Sequence, residues 1–378
     1  MNIEVINSLE KLDAIKEQWN AVLNDMKGRD IFLTPEWCAA WWKIFGKNKT
    51  LNILTISENE LLVGIVPLYS YKKGLFKYLT FVGLPNHSDR VDFIIREKYA
   101  AECIKVFFDF ISSENNWDVL ILGRVAALAN TEATLDNVIK SNNMRFIKRK
   151  DAVYPYLNLE KYNDYDDFVE IYFKAKHRGN LKRERSKIDN ILKAEWKISS
   201  HIDDQLIHEM IEIDSIRSKR GKNEQSFLKC IENSKFIKQI GNEMANNEYA
   251  KIIYVLINGH IAAYSLIFDY NNKILNYQMA YDETYSKEAV GTHIILQSIK
   301  YALNNEKNEY DLLMGDENYK SRWTDGIRQS LCYYVYGNTI FGTIIQYYEK
   351  YIKQTMNNVG RYIINNIYLV LKKSFITR

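Results

Sequence analysis

The chain has 378 residues, of which 47% are hydrophobic and 26% charged, so we expect two globular domains with apolar cores rather than a disordered chain. A net charge of +4 permits an anionic ligand but does not indicate nucleic acid, and we expect no DNA partner. The four scattered cysteines argue against a disulfide framework or metal site, and the N-terminus has no apolar leader, so we expect a cytoplasmic protein.

The first half of the chain begins with alternating strand and helix patterns. Thr34-Pro35-Glu36 predicts a helix start, with Thr as N-cap, Pro at the first helical position and an acid in the first turn. That helix carries Trp37, Trp41 and Trp42. The other elements that we predict, in chain order, are a strand at 3–6, a helix at 9–26, strands at 51–56, 61–71 and 75–83, a helix at 97–112 and a strand at 118–122.

The second half repeats this order. Asn258-Gly259 predicts a two-residue hairpin turn between strands at 252–257 and 260–269. A strand at 273–281, a helix at 291–304 and a strand at 310–314 follow. Asn59-Glu-Leu-Leu-Val-Gly-Ile-Val-Pro-Leu68 and Asn258-Gly-His-Ile-Ala-Ala-Tyr-Ser-Leu266 are similar, and we interpret the two halves as copies, each a mixed α/β sheet. The alternative is that any two α/β halves share such hairpins.

A basic run separates the halves. Residues 174–187 carry seven Lys or Arg against one acid. We predict that Arg178 and Arg183 contact an anionic acceptor, and the alternative is a solvated helix face.

The segment 286–296 predicts an anion site. A strand ends, a loop runs through Ala289 and Gly291, and an apolar helix begins at once. Small residues let backbone N–H groups approach a phosphate, and the helix N-terminus adds about half a positive charge.

Several motifs carry a resemblance to one family. Ser286-Lys-Glu-Ala289-Val-Gly291 resembles the pyrophosphate loop of GNAT acyltransferases, Arg/Gln-x-x-Gly-x-Gly/Ala, with Ser and Ala as departures. Gly315-Asp-Glu-Asn-Tyr-Lys-Ser-Arg-Trp323 resembles a motif of the CelD/BioF2-like branch of that family, which is related to FemAB-type transferases. The segments 32–46 and 82–92 resemble further motifs of the same branch.

The resemblance implies a fold and a donor site. We expect two tandem GNAT-like domains, each a mixed, mostly antiparallel sheet flanked by helices: a degenerate copy at 1–155 and a copy with the acyl-CoA site at 156–337, before a helical tail at 338–378. Strand 273–281 would splay from its neighbour so that acyl-CoA binds there, without a metal ion. The residues implied in donor binding are Met279, Ala280, Tyr281, Ala289, Val290, Gly291, Thr292 and His293.

Acyl transfer from a thioester needs a base, oxyanion donors and an acid for the leaving thiolate. By resemblance Tyr319 is the acid, and Asp316 and Glu317 are the nearest carboxylates for the base. On the acceptor side we predict Lys320, Trp323, His87, Asp89 and Trp37, in addition to the two arginines. The alternatives are that Asp316 caps a helix at 317–323 and that the tryptophans are core residues.

We therefore expect a CoA-dependent N- or O-acyltransferase that acts on a small-molecule or saccharide acceptor in cell-envelope or polysaccharide biosynthesis. Two alternatives remain open: a FemAB-like transferase that uses aminoacyl-tRNA, and a non-catalytic scaffold. The tail 338–378 either contacts a membrane surface or packs on the domains, so a peripheral association with a membrane or a biosynthetic complex stays open as well.

Overall fold

The computed structural model describes residues 1–114, 116–126, 129–220 and 227–352, and the chain divides into two compact units. Unit 1 comprises Met1–Lys27, Gly46–Asp151 and Ser330–Arg378, and unit 2 comprises Gly28–Phe45 and Ala152–Gln329. Neither unit is contiguous in sequence, because 28–45 belongs to unit 2. The boundaries expected at 155 and 337 stay a prediction.

The elements of the described residues are numbered in chain order. The strands are β1 (Asn2–Ile6), β2 (Thr50–Glu58), β3 (Leu61–Lys73), β4 (Phe76–Phe81), β5 (Ile94–Ile95), β6 (Val119–Ala126), β7 (Arg145–Asn158), β8 (Glu195–Ser199), β9 (Ala250–Ile257), β10 (His260–Tyr270), β11 (Lys273–Tyr281), β12 (Glu309–Asp311) and β13 (Gly326–Tyr336). The helices are α1 (Leu9–Ala14), α2 (Lys16–Asn24), α3 (Pro35–Phe45), α4 (Ala100–Ser113), α5 (Ala129–Ser141), α6 (Tyr165–Tyr172), α7 (Ala175–Ser186), α8 (Asp204–Arg220), α9 (Ile231–Glu243), α10 (Val290–Asn304) and α11 (Ile340–Tyr347).

Unit 1 contains a sheet in the order β1-β2-β3-β4-β6-β13, with β5 paired to β3. All pairs are antiparallel except β4 and β6, which run parallel because α4 crosses over between them. On α4 the side chains of Cys103, Phe107 and Phe108 are fully buried in the hydrophobic core. Cys103 and Phe107 are four residues apart and lie on one helix face.

In unit 2 the strands pair in the order β7-β12-β11-β10-β9-β8, and β7 contributes its residues from Ala152 onward. Asn258 and Gly259 both have positive φ, 53° and 79°, so the predicted hairpin turn between β9 and β10 is confirmed. β11 and β12 run parallel, and α10 lies between them in sequence. Ile294 and Ile299 of α10 are fully buried in the core of this unit.

The two units share one local order: a hairpin, a third antiparallel strand, a helix, and a strand that returns parallel to the third. The predicted fold class, mixed and mostly antiparallel sheets with helices, is therefore confirmed. The helix predicted at 9–26 is instead two helices, because Ile15 has a non-helical φ of −106°. Sequence patterns also missed β7, β8 and β13, whose mixed polar and apolar residues carry no clear period.

The predicted C-terminal helical tail begins with α11 and a π-helical turn at Tyr348–Ile352. Residues 353–378, which include most of that tail, lie outside the described residues. Across the ranges that the structure describes, no helix is both long and apolar enough to cross a bilayer.

Asp92, in the 82–92 motif of unit 1, is buried at 7% exposure, and its Oδ1 accepts a hydrogen bond of 2.8 Å from the Phe93 N–H. Burial raises the pKa of this carboxyl to about 7. Since the unfolded chain ionises near its ordinary value, stability is lost as pH rises through about 4 to 7. We expect Asp92→Asn to raise the free energy of unfolding at pH 8 by up to about 4 kcal/mol and to flatten its pH dependence in that window.

Urea unfolding at pH 4, 6 and 8 measures this effect. Asp13→Asn is the matched control, because Asp13 is an exposed residue of α1, where surface substitutions change stability by less than about 0.5 kcal/mol. Equal unfolding midpoints for the wild type and Asp92→Asn at pH 8 would contradict the prediction.

Candidate functional site

The central feature of unit 2 is the divergence of two parallel strands. β11 pairs with β12 only from Lys273 to Leu275, and then continues through Tyr281 with pairing to β10 alone among the described strands. The divergence therefore leaves room for a ligand beside 276–281 on the β12 side. This is the splayed strand that the family resemblance implies.

The N-terminus of α10 lies where β11 ends. Ala289 is the N-cap in the left-handed conformation (φ 55°), and its carbonyl accepts hydrogen bonds from the Thr292 and His293 N–H groups. The N–H groups of Val290 and Gly291 lie too early in the helix to pair with an intrahelical carbonyl, so they point out of the helix start. Such groups, together with the helix dipole, favour an anion.

A cleft of about 610 Å³ lies in front of this helix start, within the size range of small-molecule sites. It brings together residues of two motifs that are separated in sequence. The predicted residues that line it are Met279, Tyr281, Ala289, Gly291, Thr292, Tyr319 and Trp323; Tyr172, Phe173, His177, Leu181, Glu184, Ser286, Ile295 and Arg322 complete its lining. The side chains of Ala280, Val290 and His293 are buried instead of lining the cleft.

Gly291, at the start of α10, lies directly against the ring of Tyr281 at the end of β11. A Cβ atom at this position would lie 2.7 Å from Cδ1 of Tyr281, well inside ordinary contact distance. Glycine is thus required for the helix start and the end of β11 to approach this closely.

The loop after β12 supplies Tyr319 to the cleft. Tyr319 precedes a 3₁₀ helix at Lys320–Trp323, which replaces the predicted helix at 317–323. Tyr172 of α6 donates a 2.8 Å hydrogen bond to the Arg322 carbonyl, and Trp323 packs edge-on against Phe173 at 5.9 Å. These contacts fix the loop, and with it Tyr319, against α6.

Lys320, which we predicted to contact the acceptor, is buried and already paired. Its side chain is 6% exposed, and its Nζ donates to the Met314 carbonyl at 2.5 Å and pairs with Glu317 at 3.0 Å. These partners already satisfy the hydrogen-bonding capacity of the Lys320 ammonium group, so this side chain stabilises the loop. Asp316 and Glu317 are exposed and are absent from the cleft lining within the described residues.

The two predicted arginines of α7 differ. Arg178 donates from Nη1 to the carbonyls of Glu170 and Phe173 at 2.9 and 2.8 Å, so it closes the C-terminal end of α6. Arg183 is exposed and hydrogen-bonds Asn180 one turn earlier. Arg178 thus has a structural role at the end of α6, whereas an anion contact at Arg183 stays a prediction.

The remaining predicted acceptor residues lie elsewhere. His87 and Asp89 belong to unit 1, where His87 is buried and its backbone N–H donates a hydrogen bond to the Gly83 carbonyl. Trp37 is only 1% exposed in the core of unit 2, so a saccharide platform on its ring is contradicted by its burial. Its ring packs against those of Phe32, Phe236, Phe268 and Tyr277.

Sequence patterns missed Glu184, which lies on α7 and lines the cleft. Its Oε2 is 3.6 Å from Nε2 of His293, a side chain that is 3% exposed. Burial, reinforced by the charge of Arg185, lowers the pKa of His293 to about 4. A single acid in a basic run gives no sequence signal, because only packing of α7 on α10 creates the pair.

Comparisons with known proteins concern this same region. Residues 175–321 match the family model described as an acetyltransferase (GNAT) domain. Comparison with curated proteins gives no match.

Solved structures show similarity in fold alone, because their identities are low. FemX matches at 10% identity and a TM-score of 0.63, covering 93% of this chain and all of its own. L-PGS from Bacillus licheniformis matches at 13% identity and 0.51, covering 89% of this chain and 94% of its own. The C-terminal domain of a putative lysylphosphatidylglycerol synthetase from Agrobacterium fabrum matches at 8% and 0.51, covering 90% and 95%.

The matched residues lie within unit 2 and contain α7, the divergent strand β11, the start of α10 and the loop that carries Tyr319. Most residues that line the cleft lie in the matched segment, and Tyr172, Phe173, Arg322 and Trp323 flank it. Residues 175–321 are therefore similar to an acetyltransferase domain of the GNAT type, and this similarity supports an acyltransferase.

Proposed function

We propose that the protein is a CoA-dependent N- or O-acyltransferase whose donor binds in the unit 2 cleft. The observation that carries this proposal is the divergence of β11 from β12 beside the Gly291 helix start. A pantetheine arm can lie along β11 beyond Leu275, where β12 no longer pairs with this strand. The N–H groups of Val290 and Gly291 can bind the pyrophosphate.

The residues of the cleft then have distinct roles in a direct transfer. The acceptor amine or hydroxyl attacks the thioester carbonyl, and the C–S bond breaks as the electron pair moves to sulfur. Tyr319, held against α6 through the 320–323 helix, is placed to protonate the leaving thiolate. The apolar wall of Leu181, Ile295 and Trp323 limits water around the thioester.

Calorimetric titration with acetyl-CoA, longer acyl-CoAs and acetyl-pantetheine tests the donor. We expect micromolar binding of at least one acyl-CoA and at least about 100-fold weaker binding of acetyl-pantetheine, which lacks the pyrophosphate. Absence of binding to every acyl-CoA would overturn the proposal. The chain length that binds most tightly identifies the donor class.

For the acceptor we propose a small molecule or saccharide of cell-envelope or polysaccharide biosynthesis. The support is the likeness of the 315–323, 32–46 and 82–92 motifs to the CelD/BioF2-like branch. Incubation with acetyl-CoA and amino or hydroxy sugars, followed by mass spectrometry of the products, shows which acceptor is acylated.

A second candidate is transfer of an aminoacyl group, favoured by the exposed basic surface of α7. Lys174, Lys176, Lys182 and Arg183 are exposed and suit a polyanionic donor. One similar structure is that of a putative lysylphosphatidylglycerol synthetase, a name that refers to a lysyl group. Salt-dependent binding of aminoacyl-tRNA, without any acyl-CoA binding, would favour this candidate over the first.

A further inference from the structure

The cleft contains one acidic side chain among the lining residues that the structure describes. That residue is Glu184, whose side chain is 31% exposed. It lies on the same face of α7 as His177 and Leu181, because positions 177, 181 and 184 repeat at helical spacing. The transfer reaction releases a proton from the acceptor, and a carboxylate inside the cleft can accept it.

The buried side chain of His293 lies beside this carboxylate. It lies in the first turn of α10, and its Nε2 has no hydrogen-bond partner among the described residues although it is buried. Buried polar atoms are rarely left unpaired, and those that are tend to mark functional sites. The nearest acidic atom is Glu184 Oε2 at 3.6 Å, just outside hydrogen-bond distance, so a small movement of the Glu184 side chain completes the bond.

The protonation state of His293 suits a supporting role. Because its pKa is lowered to about 4, the imidazole is neutral at physiological pH and can donate a hydrogen bond from one ring nitrogen. A donor beside a carboxylate favours the charged form, which is the form that accepts a proton. A neutral imidazole also does not repel a cationic acceptor.

We infer that Glu184 is the proton acceptor of the reaction and that His293 is the residue that positions its carboxylate. This rests on the proposed acyl transfer. As the acceptor nitrogen or oxygen bonds to the thioester carbon, its proton moves to a Glu184 oxygen, the C–S bond breaks, and the thiolate takes a proton from Tyr319. Glu184 then returns its proton to solvent, from which Tyr319 is reprotonated.

Other groups around the pair enter any pH dependence. Arg185 ion-pairs with Asp189 at 2.7 Å, and both act on the charge state of His293. The other titratable or charged side chains that line the cleft are Tyr172, His177, Tyr281, Tyr319 and Arg322. The test therefore compares profiles between variants rather than reading one profile alone.

The test uses five variants of the full chain, three at Glu184 and His293 and two at other acids, assayed for acyl-CoA binding by calorimetry and for turnover across pH 5 to 9. We expect Glu184→Gln to lower kcat by about 100-fold or more and to leave the acyl-CoA dissociation constant within about twofold. His293→Leu should lower kcat by about tenfold and move the acidic limb of kcat/KM to higher pH, since the carboxylate loses a donor that favours its charged form. His293→Gln, which restores an amide N–H near the Nε2 position, should move the limb back.

Glu170→Gln on the adjacent α6 is the matched control, because Glu170 is an exposed acid outside the cleft lining. Wild-type kcat in Glu184→Gln, or a loss of turnover in Glu317→Gln instead, would overturn the assignment. If kcat/KM of His293→Leu falls but its acidic limb stays at the wild-type pH, His293 acts only in packing. That result would overturn its positioning role. If the wild type binds no acyl-CoA, the proposed function fails first, so the two failures are distinguishable.

Discussion

Gly291→Trp is expected to abolish measurable binding of acyl-CoA, a loss of at least about 100-fold. Even a Cβ at this position would lie 2.7 Å from Cδ1 of Tyr281, so a larger side chain must displace Tyr281 or project into the cleft. Either result blocks the N–H groups at the start of α10. Replacing glycine inside the first helical turn does not itself weaken the helix, so the fold should be retained.

Gly179→Trp is the matched control for this experiment. A Cβ at Gly179 meets nothing within 4 Å, and the position is two residues from His177, which places it roughly on the opposite face of α7 from the cleft. Calorimetric titration of both variants, with circular dichroism to verify folding, provides the measurement. Undiminished acyl-CoA affinity in a folded Gly291→Trp protein would place the phosphate site elsewhere.

Trp37→Ala is expected to lower the free energy of unfolding by about 3 to 5 kcal/mol, the usual cost of deleting a fully buried aromatic side chain. The Trp37 ring makes edge-on contacts with Phe236 of α9 and Phe268 of β10, at centroid distances of 5.3 and 5.5 Å. Its removal therefore leaves a cavity lined by several rings, which cannot collapse easily.

Trp42→Ala on the same helix serves as the comparison, because Trp42 is only half-buried and should cost markedly less. Chemical denaturation of the two variants measures the difference. If Trp37→Ala were as stable as the wild type and instead raised the KM for a saccharide acceptor, the platform role would be reinstated.

Much of the donor site can be read from local sequence. Ala289 and Gly291 directly before an apolar helix predict the anion site, since small residues at a helix start have a local physical meaning. Tyr319, which lines the cleft, lies in a motif that the sequence shows. The proton-transfer residue could not be found in this way, because Asp316 and Glu317 are nearer in sequence to Tyr319 whereas Glu184 reaches the cleft only through packing.

Burial decided which of several equivalent polar residues can meet a ligand. Lys320 and Arg178 have the charge that an anionic acceptor requires, yet backbone carbonyls and Glu317 already satisfy them. A sequence shows the type of a side chain but not the partners that surround it, and these partners determine whether its charge is available.

The sequence by itself determined the order of elements, the Asn258-Gly259 turn and the helix start at Gly291, because turn and cap preferences act over a few residues. Only the tertiary structure decided that 28–45 belongs to unit 2, that β11 leaves β12 after Leu275, and that Glu184 meets His293. These features depend on contacts between residues far apart in the chain, whose geometry no local pattern specifies.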